Sequence, residues 1–199
     1  MRFHTLACGV LALALCLGLP SATRAQVGVD HSHSLSDFKN NLAPYVVAPE
    51  HAVDRMLAMA NLKPGEVLYD LGCGNGRILV TAAEKYKVKA VGVEISEHLA
   101  KSAAENVKKH GLQDRVKVIH NDFMKTDLSE ANVVTLYLAT AANDTLRPNL
   151  EHYLRPNTRV VSYDYPIPGW KPVETSETGG RHGDTHMIYL YSVPESMKK

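Results

Sequence analysis

Apolar side chains return along this chain with two periods, and the switching between them outlines the fold. Across 50–61, Val53, Met56, Leu57 and Ala60 recur at helical spacing, and Pro64-Gly65 ends the segment as a turn. Five apolar runs of strand length follow, at 67–71, 90–94, 116–119, 131–137 and 158–163. Helical segments are expected between them at 78–85, 97–110 and 143–154, with Gly111 closing the second as a C-cap and Pro148 predicting a kink or break in the third. Val173-Glu174-Thr175 and 187–193 read as a final antiparallel pair. Strands alternating with helices imply right-handed crossovers and a parallel sheet with helices on both faces. The fold class expected is α/β: a doubly wound, Rossmann-like sheet of seven strands, mostly parallel, with a C-terminal antiparallel hairpin.

Composition changes this picture only at the N-terminus. The chain has 199 residues, 45% of them hydrophobic and 22% charged, which suits one domain with its own core. Segment 1–25 stands apart, with Arg2 at its start, an apolar run over 6–19, and small residues Thr23 and Ala25 placed as a cleavage site before Gln26 would require. The expectation is a signal peptide, or an uncleaved N-terminal anchor, and so an exported or membrane-associated protein, with cytosolic action left open. Segment 26–43 is polar and reads as a linker, in which His31 and His33 are solvent-exposed residues, and the folded domain is expected over 44–199. Cys8 and Cys16 lie in the leader, so a mature chain keeps Cys73 alone, with no intrachain disulfide and no thiolate metal site. A net charge of +1 and the lack of a basic stripe argue against a nucleic-acid partner.

The chemistry is concentrated where the first strand ends. Asp70-Leu71-Gly72-Cys73-Gly74-Asn75-Gly76 carries the chain from that strand into a helix. Glycines suit a backbone that must turn tightly and lie close to a ligand, and in open α/β sheets ligands settle at the carboxyl ends of the strands. The spacing differs from the G-x-G-x-x-G of dinucleotide folds. Asp70, before the glycines, suits a cationic group better than a pyrophosphate. Glu94 ends the second strand, where its carboxylate can accept two ribose hydroxyls, and Asn121-Asp122 follow the third, placed for an adenine amino group. Acidic or amide groups at three consecutive strand ends point to S-adenosylmethionine (SAM), held by Asp70, Gly72, Cys73, Gly74, Gly76, Glu94, Asn121 and Asp122, with Tyr45 closing over it.

These motifs resemble the class I SAM-dependent methyltransferases over nearly the whole mature chain. A narrower resemblance rests on Pro44-Tyr45-Val46-Val47-Ala48-Pro49, the helix carrying Met56-Leu57, Tyr69 to Gly72 with Gly76-Arg77-Ile78, Val133 to Leu138, and Thr158 to Ser162 followed by Trp170. Together they are similar to the small family that includes the lysine methyltransferases of ATP synthase subunit c and the adenine nucleotide translocase. That resemblance implies a protein-lysine acceptor. Cys73 stands where serine would be as natural in such a turn.

Residues following the fourth and fifth strands face the transferred methyl in this fold. Tyr137 is the candidate for orienting an amine, and Asp164 for holding a cationic lysine; the alternatives are a packed strand-end aromatic and a turn or cap residue. Trp170 reads as a packing anchor, and His182 and His186 as surface residues. The Leu136-Tyr137-Leu138-Ala139 run lacks the Asn/Asp-Pro-Pro-aromatic signature of nucleic-acid amino methyltransferases. Small-molecule methylation and a non-catalytic SAM-binding module stay as alternatives.

Overall fold

The computed structural model describes residues 45–179 and 184–197. The leader, the linker and His182 lie outside the described residues. Among the described residues four α-helices, α1 (Glu50–Met59), α2 (Arg77–Tyr86), α3 (Glu97–Lys109) and α4 (Thr140–Tyr153), accompany seven strands. The strands are β1 (Val67–Leu71), β2 (Lys89–Glu94), β3 (Val116–His120), β4 (Val133–Leu136), β5 (Arg159–Tyr163), β6 (Glu174–Gly179) and β7 (Thr185–Ser192). They form one sheet in the order β3-β2-β1-β4-β5-β7-β6. The first five are parallel, and β7 runs antiparallel between β5 and β6.

Strand alternation sorts side chains into two cores. Leu68, Ala90, Val133 and Val161 pack on one face with α1 and α2 residues such as Met56, Leu57 and Leu79. Tyr69, Leu71, Val134, Leu136 and Val160 pack on the other with Leu146 and Leu150 of α4. Neighbouring residues thus serve opposite faces, the period-two signature of a sheet covered on both sides.

The elements follow the expected order, with shifted ends. Helix α3 begins on Ser96, whose Oγ accepts the Leu99 N–H at 3.4 Å, and stops where Gly111 takes φ 66°. Helix α4 starts three residues earlier than expected and runs through Pro148 without a break. Pro148 is exposed, and so is Asp144, whose carbonyl would otherwise take an N–H from position 148; water can satisfy it. Strand β4 is shorter than the apolar run 131–137, leaving Tyr137 just past its end. Strand β6 is longer than expected, because its Thr-Ser-Glu-Thr sequence is that of an exposed edge, where hydrophobic patterning gives no signal. Trp170 is an anchor as expected: it is buried, stacks edge-on to Tyr191 at 5.8 Å and donates to Glu151 at 3.0 Å.

Candidate active site

Sequence order reverses between β1 and β4, so a crevice opens at the carboxyl ends of these two strands. The glycine turn lies there. Gly72, Gly74 and Gly76 take φ of 75°, 53° and 76°, a region costly for any residue with a Cβ. Gly72 and Cys73 both direct their N–H groups to the Val93 carbonyl, at 2.8 and 3.2 Å, binding the turn to β2. The Cys73 thiol is buried against Gly92, and burial pushes it well above its ordinary range. It is therefore an inert packing group, and any part in cofactor binding falls to its backbone.

Glu94 braces the turn from the neighbouring strand. One carboxylate oxygen accepts the Gly74 N–H and the other the Ser96 N–H, each at 2.9 Å. Each oxygen keeps a second lone pair for another donor, so the bracing and a ribose contact are compatible. Asp70 is 3% exposed, buried rather than open at the turn, and accepts from Thr135 Oγ1 at 2.8 Å. Burial, partly offset by that bond and reinforced by Glu94, raises it to about 7. Asn121 is exposed, and its N–H donates to the Glu94 carbonyl at 3.0 Å, while Asp122 Oδ1 accepts the Met124 N–H at 2.9 Å. Both follow β3, beside Glu94 at the end of β2.

Tyr45 lies on the turn itself. A Cβ on Gly74 would come within 2.5 Å of its ring, so ring and backbone are in direct contact. Burial raises the Tyr45 phenol despite the nearby Arg77.

The second half of the crevice is aromatic and acidic. Tyr137 follows β4, and its ring lies 4.7 Å from that of Tyr163 and 6.4 Å from that of Tyr165. Burial, then Asp164 and Tyr165, push its phenol up to about 12, so it stays neutral. Asp164 follows β5 with φ 64°. His186 Nδ1 lies 2.8 Å from both Asp164 oxygens. This corrects the reading of His186 as a surface residue: its side chain is 32% exposed and turned onto Asp164. Four-residue spacing from His182 carried no such information. The contact comes from the antiparallel register, which sets Tyr163 opposite Ile188 and so brings Asp164 to Met187 and His186.

Two further residues escaped sequence reasoning. Asn143 of α4, fully buried, donates through Nδ2 to the Tyr165 carbonyl at 3.0 Å, and Ser162 Oγ donates to the same carbonyl at 2.5 Å. Together they clamp the loop after β5. A buried asparagine on the apolar side of a helix was the available sign.

Comparison with known proteins places this geometry. The ANTKMT methyltransferase domain model matches residues 70–174, from the glycine-turn acid to the start of β6. The chain belongs to the ANTKMT methyltransferase family. It is 44% identical over 153 residues to a protein-lysine N-methyltransferase of Saccharolobus islandicus, covering 76% of this chain and 94% of that one. It is 30% identical over 150 residues to the mouse adenine nucleotide translocase lysine N-methyltransferase, covering 75% of this chain but 63% of that protein. Among solved structures, an RNA methyltransferase from Salinibacter ruber in complex with S-adenosyl-L-homocysteine superposes with a TM-score of 0.72 at 40% identity. It covers 77% of this chain and 97% of that one. The chain is a SAM-dependent methyltransferase, and its seven-stranded sheet is that of the class.

Proposed function

We propose that this enzyme methylates the side-chain nitrogen of lysine on a protein acceptor. The observation that carries the reading is the Asp164 carboxylate standing beside the Tyr137 and Tyr165 rings at the carboxyl edge of β4 and β5, with Tyr163 fully buried against Tyr137. A carboxylate attracts an ammonium, and phenol faces attract it through their quadrupoles. The relatives named as lysine methyltransferases support the same acceptor.

The residues present fit the cofactor. The left-handed glycines let backbone lie against it, Glu94 offers lone pairs to ribose hydroxyls, and Asn121 and Asp122 stand at the adenine end. Bound SAM supplies an electrophilic methyl carbon on a sulfonium. The chain's contribution is alignment: Tyr45 and the glycine turn hold one side, and Asp164 with the tyrosines brings the amine to the other. Asp164 and the rings favour the charged ammonium on arrival; the proton passes to solvent as the nitrogen moves from the carboxylate toward the methyl carbon, where desolvation favours the neutral amine.

The RNA methyltransferase named for the Salinibacter structure marks the rival acceptor. The Leu136-Tyr137-Leu138-Ala139 segment, without a Pro-Pro-aromatic grip for a planar amino group, and the net charge of +1 favour lysine. The apolar segment at 6–19, which we propose to be a leader or anchor, makes membrane proteins the first acceptors to test. Purified enzyme is incubated with labelled SAM and a membrane-protein extract, and with total RNA in parallel. Methyl-lysine in the digested protein is expected. Label confined to RNA or to small metabolites refutes the lysine acceptor.

A further inference from the structure

Asp164 keeps a left-handed backbone, φ 64°, a region aspartate adopts more readily than most residues with a side chain. Its main chain is held by β7: the Asp164 N–H donates to the Met187 carbonyl at 2.7 Å. The Met187 N–H reaches Asp164 Oδ1 at 3.4 Å. The carboxylate as a whole is gripped by His186, whose Nδ1 is 2.8 Å from both oxygens. A carboxylate only accepts, so Nδ1 carries the hydrogen.

The imidazole is not needed to dock the hairpin. Strands β5 and β7 are already paired from Arg159↔Ser192 to Tyr163↔Ile188. What His186 adds is orientation of a charge. Its ring also lies 5.6 Å from the Tyr163 ring, which in turn lies 4.7 Å from that of Tyr137. Imidazole and phenols thus form one continuous wall beside the carboxylate.

We infer that His186 is the positioning residue of the acceptor site: through Nδ1–H it fixes the Asp164 carboxylate in the orientation that receives the acceptor ammonium. The inference rests on the lysine reading above. A carboxylate released from His186 gains side-chain freedom, and alignment of the amine with the methyl carbon is lost with it.

The test compares full-length wild type with H186A, H186N, D164N and the D164N/H186A double variant. The rate of methyl-lysine formation in the membrane-protein extract is scored by mass spectrometry, and SAM affinity by calorimetry. H186A is expected to slow methylation about tenfold to a hundredfold, the effect of losing a hydrogen bond to a charged group, with SAM affinity unchanged. H186N, whose amide nitrogen can stand where Nδ1 stood, is expected to recover most of the rate. In the D164N background, H186A is expected to add less than about twofold, because the charge it orients is already gone. Wild-type rates in H186A overturn the inference, as does a full multiplicative loss in the double variant. A parallel loss of SAM affinity in both His186 variants, the mark of a structural role, also overturns it. Wild-type enzyme that labels no lysine overturns the lysine reading and this inference together. Wild-type enzyme that labels lysine alongside an undiminished H186A overturns this inference alone.

Discussion

Two carboxylates at the cofactor end of the crevice have different work, and their hydrogen bonds separate them. Glu94 spends one lone pair on the Gly74 N–H and one on the Ser96 N–H. Removing it loosens the turn as well as any ribose contact. Glu94→Ala is expected to weaken SAM binding by about 1–3 kcal/mol, measured calorimetrically, and unchanged affinity would take Glu94 out of the ribose contact. Asp70 instead sits inside, on Thr135, with its titration raised from 3.8 to about 7 by burial. Between those values the folded protein holds a proton that the unfolded chain has released, so stability falls as pH rises through the window and levels off above about 7. Asp70→Asn does not titrate. Its melting temperature relative to wild type is expected to climb with pH over that window, and a pH-independent difference would place the Asp70 titration elsewhere.

At the scale of elements, the cofactor turn depends on how closely β2 approaches α2. A Cβ on Gly92 would lie 2.4 Å from Leu79 Cδ1 and 2.7 Å from Cys73 Sγ, distances real atoms do not keep. Gly92 is in the middle of a strand, where a residue without a side chain marks a close approach. Gly92→Ala is expected to destabilise the protein by about 1–3 kcal/mol through overpacking, read from denaturant unfolding. Because the Cys73 side chain must move, SAM affinity should fall with it. Gly111→Ala makes the contrast: its Cβ would meet nothing within 4 Å, so its cost is confined to the strained φ of 66°.

The whole molecule divides its labour between the two edges of the sheet. The carboxyl edge holds the crevice, and the amino edge is tied by Arg159 at the start of β5. Its guanidinium donates to the carbonyls of Ala60 and Asn61 at 2.7 and 2.8 Å and to Glu66 at 2.5 Å, joining β5 to the end of α1 and the approach to β1. Burial alone would raise the Glu66 carboxyl, but Arg159 and the Lys63 N–H hold it below its ordinary 4.5. The stabilisation is therefore present above 4.5 and lost as pH falls through the lowered value. Arg159→Met is expected to cost about 1–3 kcal/mol near neutral pH, to cost less in acid, and to leave SAM affinity unchanged. Unfolding at two pH values with one calorimetric titration checks all three.

The sequence by itself determined what is local. A strand that ends in an acid and three spaced glycines dictates a left-handed turn at a strand end, because glycine alone adopts that backbone without a Cβ penalty. The acidic groups at the ends of β1 and β2 and just after β3 land at one edge because parallel strands all end there. Apolar periods placed most of the elements, and with them the alternation that gives the sheet. Only the tertiary structure decided which polar groups meet. Thr135 reaches Asp70 because β4 lies against β1, and Asn143 reaches the loop after β5 because α4 packs over it. His186 reaches Asp164 because β7 inserts between β5 and β6 in one register. A slip of one residue would have turned His186 to the other face, and nothing in its neighbours along the chain records which register wins.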